Sequence, residues 1–310
     1  MAVLLCSRTV DPEPWRAAFR AQAPEIDFRV WPETGPVEDI EFILTWLHPP
    51  GELRRYPRLK AVLTLGAGVE KLLLDPDLPP GIPIVRLVDR ALTAGMSEYA
   101  LLHVLRYHRQ MPELEAMQRR AEWIDEVESP PAWERRVGLL GLGVLGGDAA
   151  AKLAALGFQV AGWSLSKKSI SGVASYTGEE GLAKLLAWSQ ILVCLLPLTS
   201  STRGIVNART LALLPRGAFF INCARGGHVV ESDLLAALDS GQIAHATLDV
   251  FAEEPLPPSH PFWRHPRVTV TPHNASLTWA PTAIEHILAN MKRHAAGEPM
   301  SPLVDPKREY

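Results

Sequence analysis

The sequence predicts an α/β protein built from two doubly wound parallel sheets. Three observations carry that prediction. Short apolar runs alternate with stretches of helical spacing along the whole chain, the pattern of successive βαβ units. The 310 residues amount to roughly two domains of ~150 residues. One apolar run, Val137–Leu140, breaks into Gly141-Leu142-Gly143-Val144-Leu145-Gly146 and then into an Ala/Leu-rich segment, Ala149–Leu156, that stops at Gly157.

In chain order, strands are expected at Val3–Cys6, Phe28–Trp31, Phe42–Thr45, Leu59–Leu65 and Ile84–Val88, with a helix at Pro14–Ala23. These make residues 1–94 a small open α/β domain, flavodoxin-like in kind. Met96 to about Arg120 reads as one long helical segment with Ala100, Leu101, Val104, Leu105 and Tyr107 near helical spacing and Pro112 as a kink. Trp123 and Pro130-Pro131-Ala132-Trp133 then form an arm. The second domain, residues 95–276, is expected to have strands at Arg136–Leu140, Gln159–Trp163, Ile191–Leu196, Ala218–Asn222, Ala244–Leu248 and Val268–Val270. Its helices are expected at Asp148–Leu156, Gly181–Trp188, Ala208–Leu213 and Ser232–Ser240. A last helix, Pro281–Ala296, follows the final strand and returns residues 277–310 to the first domain, leaving a cleft between the two.

Composition excludes several classes of function. With 47% hydrophobic residues, 21% charged residues and a net charge of −3, the chain has no reason to bind nucleic acid. Three cysteines, Cys6, Cys194 and Cys223, are odd in number and far apart. They suit a reducing cytoplasm and neither a disulfide framework nor a metal site. No apolar run reaches the ~18–20 residues of a membrane span, and Ala2–Cys6 is too short for a signal sequence and reads as the first strand.

The chemistry is expected where a parallel sheet gathers its ligands, at the carboxyl ends of its strands. After Val137–Leu140 come the glycines. Gly141 allows the tight turn, Gly143 lets backbone meet a pyrophosphate, and Gly146 lets helix pack on strand. The helix N-terminus beyond them offers N–H groups to phosphate oxygens. The other strands deliver Leu196-Pro197-Leu198-Thr199, Cys223-Ala224-Arg225-Gly226, Asp249 through Glu254, and Thr271-Pro272-His273. A nicotinamide ring on that edge faces a cation, a carboxylate and an imidazole, a set suited to hydride transfer to a 2-oxo acid. Arg225 grips the substrate oxygens through its donor fork. His273 delivers the proton, and Glu254 pairs with the far nitrogen of His273 and favours its protonated form.

The second strand of this domain ends Gly162-Trp163-Ser164-Leu165-Ser166-Lys167-Lys168. No acid stands there to take a ribose 2′-hydroxyl, whereas Ser164, Ser166, Lys167 and Lys168 suit a 2′-phosphate. The expected cofactor is therefore NADPH, with NADH as the alternative because Leu165 offers no charge.

The chain resembles the D-isomer-specific 2-hydroxyacid dehydrogenases over nearly its whole length. The resemblance rests on Gly66-Ala67-Gly68-Val69, Ser97-Glu98-Tyr99, the glycine loop, Leu196-Pro197-Leu198-Thr199 with Thr202, Asn222-Cys223-Ala224-Arg225-Gly226, Leu248-Asp249-Val250-Phe251 with Glu254-Pro255, and Thr271-Pro272-His273. Within that family Trp46-Leu47-His48-Pro49-Pro50, Gly162-Trp163-Ser164 and His228-Val229-Val230-Glu231 look most like the glyoxylate/hydroxypyruvate reductase A branch.

The resemblance implies a Rossmann nucleotide domain and reduction of glyoxylate or hydroxypyruvate to glycolate or D-glycerate. It makes Arg225, Glu254 and His273 the catalytic set and Trp46, Ala67, Gly68 and Arg225 the substrate contacts. The cofactor contacts would be Gly141, Gly143, Val144, Leu145, Gly146, Ser164, Ser166, Lys167, Lys168, Leu196, Pro197, Thr202, Cys223, Ala224, Arg225, Asp249, which fixes the nicotinamide amide, and His273. It also implies a homodimer, with Met111–Trp133 as the contact. The alternatives are a reductase of another 2-keto acid, such as phenylpyruvate or pyruvate, and a dinucleotide-sensing corepressor of the same fold.

Overall fold

In the computed structural model, which describes residues 1–310, the chain begins with β1 (Ala2–Ser7), α1 (Glu13–Gln22), β2 (Asp27–Val30), β3 (Ile40–Trp46), β4 (Ala61–Thr64), a single turn α2 (Glu70–Leu73) and the short β5 (Ile84–Val85). The strands form one sheet in the order β2-β1-β3-β4-β5, parallel throughout. This is the flavodoxin order, whose switch point lies between β1 and β3. β1, β3 and β4 are mostly apolar and buried along nearly their whole length because both faces of the sheet are covered. On one face Val3, Leu5, Phe42, Leu44 and Leu63 pack on Trp15, Ala18 and Phe19 of α1. On the other, Leu4, Ile43 and Val62 pack on Leu53 and Leu72.

The chain continues through α3 (Arg90–His108) and α4 (Met111–Arg120) into β6 (Arg136–Leu140), α5 (Val144–Ala155), β7 (Gln159–Trp163), β8 (Val173–Tyr176), α6 (Gly178–Trp188), β9 (Ile191–Cys194), α7 (Ala208–Leu211), β10 (Ala218–Asn222), α8 (Glu231–Asp239), β11 (Ile243–Leu248) and β12 (Val268–Val270). Seven parallel strands in the order β12-β11-β10-β9-β6-β7-β8 make the second sheet. Counted from β6, this is the dinucleotide-fold order, with its switch point between β6 and β9. Successive residues again serve opposite cores. Val137, Leu139, Val193 and Ile221 face Met96, Ala100 and Val104 of α3 and Ala149, Ala150 and Leu153 of α5. Leu140, Leu192 and Phe220 face Leu185 and Leu186 of α6 and Leu234 and Leu238 of α8. The closing helix, α9 (Ala280–Ala295), buries Ile284 and Ile287 in the first sheet's core beside α1. The chain thus forms two compact units, Met1–Leu92 with Thr278–Tyr310, and Thr93–Leu277.

In the second unit two elements differ from expectation. The single long helix is two helices, because Gln110 adopts a left-handed conformation (φ 55°) between them and Pro112 stands in the first turn of α4. Proline fits a first turn, where its missing N–H would have had no partner. The second difference is β8, a seventh strand that the apolar pattern did not announce. Val173–Tyr176 is a half-buried edge strand, and an edge lacks the two covered faces that make a strand read as an apolar run.

Candidate active site

The glycine turn between β6 and α5 is shaped by close contacts. Gly141 has φ +102°, and a Cβ there would meet the Leu195 carbonyl oxygen at 2.6 Å. A Cβ on Gly146 would lie 1.9 Å from the Gly141 carbonyl oxygen, so helix and strand meet at a distance only glycine permits. Gly143, the exposed N-cap residue of α5, has open space where its side chain would be. The first-turn N–H groups after it, on Val144 and Leu145, have no intrahelical acceptors by helix geometry. A bare, positively polarised helix end behind an open glycine fits a pyrophosphate. At the end of β7 no carboxylate is present. Leu165 is 71% exposed, Ser166, Lys167 and Lys168 are exposed, and the buried Ser164 hydroxyl donates to Ser166 O at 2.8 Å.

The loop after β9 lies beside the glycine turn, since β9 adjoins β6 in the sheet, and the loop after β10 lies one strand further along the same edge. Pro197 is exposed and Leu196 buried. Thr202 is turned inward, donating to Pro197 O at 2.7 Å and accepting from Thr199 N at 2.9 Å. Cys223 and Ala224 are buried, with the Cys223 thiol directed at Cys194 O; burial holds that thiol well above its ordinary pKa. Arg225 is half-buried, and its backbone carbonyl accepts from Asn222 Nδ2 (3.1 Å), His228 Nδ1 (3.0 Å) and His228 N (3.2 Å).

Further along the same edge, His273 Nδ1 bonds Glu254 Oε2 at 2.8 Å, while Glu254 Oε1 accepts from Phe251 N at 2.9 Å. Burial pushes the Glu254 carboxyl up. The bonds from His273 and Phe251 N–H and the nearby charges of His273 and Arg225 outweigh it, so the group stays below its usual value. A carboxylate held ionised in this way fixes the ring, and His273 Nε2, which bonds nothing within the chain, is left for a reacting proton. His273 has φ +53°, a left-handed conformation uncommon for a residue with a side chain. It is held there by its N–H, which donates to Asp249 O at 2.8 Å.

The Asp249 carboxylate organises the same loop. Oδ1 accepts from Thr271 Oγ1 (2.6 Å) and Asn274 N (2.9 Å), and Oδ2 from Ala275 N (2.9 Å). Tyr99 of α3 extends the chain with a 2.6 Å bond to Thr271 Oγ1. This support, together with Asn222 and His228, was missed by the reading of the sequence. The available signal was an acid, an amide and a histidine placed within a residue or two of wholly apolar strands or buried turns, where each must find partners.

In the first unit, Trp46 ends β3 with its ring over Gly66, where a Cβ would come within 2.7 Å of Trp46 Cζ3. The N–H groups of Ala67 and Gly68 make no hydrogen bond within the chain, leaving two adjacent donors for an anion. Trp46, Gly68, Arg8 and Lys71 line a cavity of about 210 Å³ at the β1/β3 switch point. It also contains a buried hydrogen bond, His48 Nε2 to Asp75 Oδ2 at 2.8 Å.

A dinucleotide-type sheet with a glycine turn at its switch point, and an imidazole–carboxylate pair on the same edge, define a nucleotide-dependent oxidoreductase of the α/β class. Residues 101–275 match the NAD-binding domain of the D-isomer-specific 2-hydroxyacid dehydrogenases. The chain belongs to that family. It is 44% identical over 298 residues to the glyoxylate/hydroxypyruvate reductase A of Serratia proteamaculans, covering 94% of this chain and 95% of the relative. It is similar to the crystal structure of a D-isomer-specific 2-hydroxyacid dehydrogenase from Xanthobacter autotrophicus Py2 in complex with NADPH and MES. That match has a TM-score of 0.96 and 45% identity, over 100% of this chain and 99% of that one. An NADPH-dependent glyoxylate/hydroxypyruvate reductase from Sinorhizobium meliloti, in complex with NADP and sulfate, matches with a TM-score of 0.94 and 40% identity, over 100% and 99% of the two chains.

Proposed function

We propose that this protein reduces glyoxylate and hydroxypyruvate to the corresponding 2-hydroxy acids with NADPH. The observation that carries the reading is the 2.8 Å pair between His273 Nδ1 and Glu254, on the sheet edge that also bears Arg225 and the glycine turn. The names of the 42–44% identical relatives point to the same substrates.

In this reading the helix N-terminus at Gly143–Leu145 holds the pyrophosphate, and Ser166, Lys167 and Lys168 receive the 2′-phosphate. Bound there, the reduced nicotinamide supplies hydride to the substrate's C2. Arg225 binds the carboxylate and carbonyl oxygens, the N–H groups of Ala67 and Gly68 bind the carboxylate, and Trp46 borders the substituent on C2. As negative charge develops on the carbonyl oxygen, His273 gives up its Nε2 proton and Glu254 stabilises the imidazolium that precedes that transfer.

We infer further that the protein is a homodimer of the cytoplasm. Supporting the dimer, Leu114, Trp123, Ile124 and Trp133 all stand exposed on α4 and the arm after it, an apolar surface that a partner copy would cover. Supporting the compartment, all three cysteines are free, buried thiols.

The deciding experiment is steady-state reduction of glyoxylate, hydroxypyruvate, pyruvate and phenylpyruvate with NADPH and NADH in parallel. The expected order puts the first two acids and NADPH ahead. Tight nucleotide binding without turnover of any 2-oxo acid would favour a dinucleotide sensor instead, and preference for phenylpyruvate would move the substrate assignment.

A further inference from the structure

His228 lies three residues beyond Arg225 and is completely buried. Its ring bridges two loops of the sheet edge. Nδ1 is 3.0 Å from Arg225 O in the β10 loop, and Nε2 is 3.2 Å from Pro197 O in the β9 loop. A carbonyl oxygen only accepts, so each ring nitrogen must carry a proton for both bonds to exist, and an imidazole with two N–H groups is a cation. The geometry points to a buried imidazolium at His228 that clamps the Arg225 loop to the Pro197 loop and so positions Arg225 for substrate.

Several observations support a positioning role. The Arg225 carbonyl is held by three donors, and two of them come from His228. The Pro197 carbonyl likewise receives both His228 Nε2 and the Thr202 hydroxyl. The Pro197 loop lies between the glycine turn and the Arg225 loop, so a single ring sets the spacing between the segment assigned to the nucleotide and the residue assigned to the substrate. The groups that bear on the ring are the Cys194 side chain from β9 and the Pro197 and Arg225 carbonyls, with the Arg203 guanidinium close by beside Gly227. Burial by itself lowers the histidine's pKa. The Cys194 sulfur and the two carbonyls outweigh it, and the group sits above its ordinary value. Loss of one proton would turn one N–H into a lone pair facing a carbonyl oxygen and open the clamp on that side.

This inference deepens the proposed function and rests on it only for the role of Arg225. Two measurements test it. The first is ¹⁵N NMR of histidine-labelled wild-type protein with NADPH bound at pH 7.5, with the His228 signals assigned by their absence in His228→Gln. Doubly protonated nitrogens that persist well above neutral pH are expected, and a neutral tautomer at pH 7.5 would overturn the clamp. The second is a double-mutant cycle. His228→Leu should raise KM for the 2-oxo acid roughly tenfold with a smaller change in kcat, and that penalty should vanish in the Arg225→Gln background. An equal penalty in both backgrounds means that His228 does not act through Arg225 and refutes the proposal. If Arg225→Gln leaves turnover intact, the substrate role of Arg225 falls, while the NMR result still judges the clamp. The NMR arm uses the wild-type fold, so it stands even where His228→Leu fails to fold.

Discussion

Acidification should unfold the second unit through two histidines buried between α3 and the sheet. His103 and His245 are 6% and 8% exposed, and burial, reinforced by the Arg106 charge, lowers each pKa from 6.5 to about 4. Each is tied as a neutral ring into one network. Tyr107 OH bonds Thr247 Oγ1 (2.6 Å) and His245 Nδ1 (3.1 Å), and Thr247 Oγ1 lies 3.2 Å from His103 Nδ1. As pH falls through 6.5 the unfolded chain takes up these protons, and the folded protein does not until about pH 4. Stability is therefore full above 6.5, declines between 6.5 and 4, and loses nothing more from these groups below that window. By linkage the loss reaches about 2 kcal/mol per histidine at pH 5, about 4 kcal/mol for the pair as an upper bound. That is a large share of the roughly 5–15 kcal/mol that separates folded from unfolded proteins. The assay is urea unfolding at pH 7.5 and pH 5.0 for wild type and for His103→Gln and His245→Gln. Carboxylates titrate mainly below this interval, and the wild-type-minus-variant difference removes the contribution of other histidines. Each variant should lose about half of the pH-dependent drop. An unchanged drop in both variants would refute the reasoning.

Three further outcomes follow from the sites. His273→Ala should lower kcat about 10²- to 10⁴-fold while NADPH affinity, read from cofactor fluorescence, changes far less. Gly146→Ala places a methyl group 1.9 Å from the Gly141 carbonyl; isothermal titration should show nucleotide binding largely lost, with about 1–3 kcal/mol of stability. Leu165→Arg adds a bidentate phosphate ligand at the exposed end of β7, so KM for NADPH should fall about tenfold with NADH kinetics little changed.

Much of the site was legible because its parts are local. A glycine turn is a property of six consecutive residues, and its strand and helix neighbours are contiguous with it. The absence of an acid after Trp163 needs no fold to be seen. Arg225, Glu254 and His273 could be named because every parallel strand delivers its following loop to one edge, so the order of apolar runs already places those loops together. The family resemblance then supplied their roles.

What resisted reading is non-local or set by backbone conformation. The break at Gln110 depends on one left-handed residue, and β8 is an edge strand whose half-burial erases the apolar run that would mark it. His228 was legible only as part of the family resemblance, with no role attached, and its two carbonyl partners lie 3 and 31 residues away in sequence. The three donors that the Asp249 oxygens accept come from residues 271–275, more than 20 positions along the chain, and only the fold brings them there. The sequence by itself determined the two-sheet α/β class and the glycine turn, and it placed Arg225, Glu254 and His273 in loops of one sheet edge, because short-range pattern and strand polarity suffice for those. Only the tertiary structure decided which polar side chains hold that machinery in place, because a buried donor's partner is chosen by three-dimensional packing and not by its neighbours along the chain.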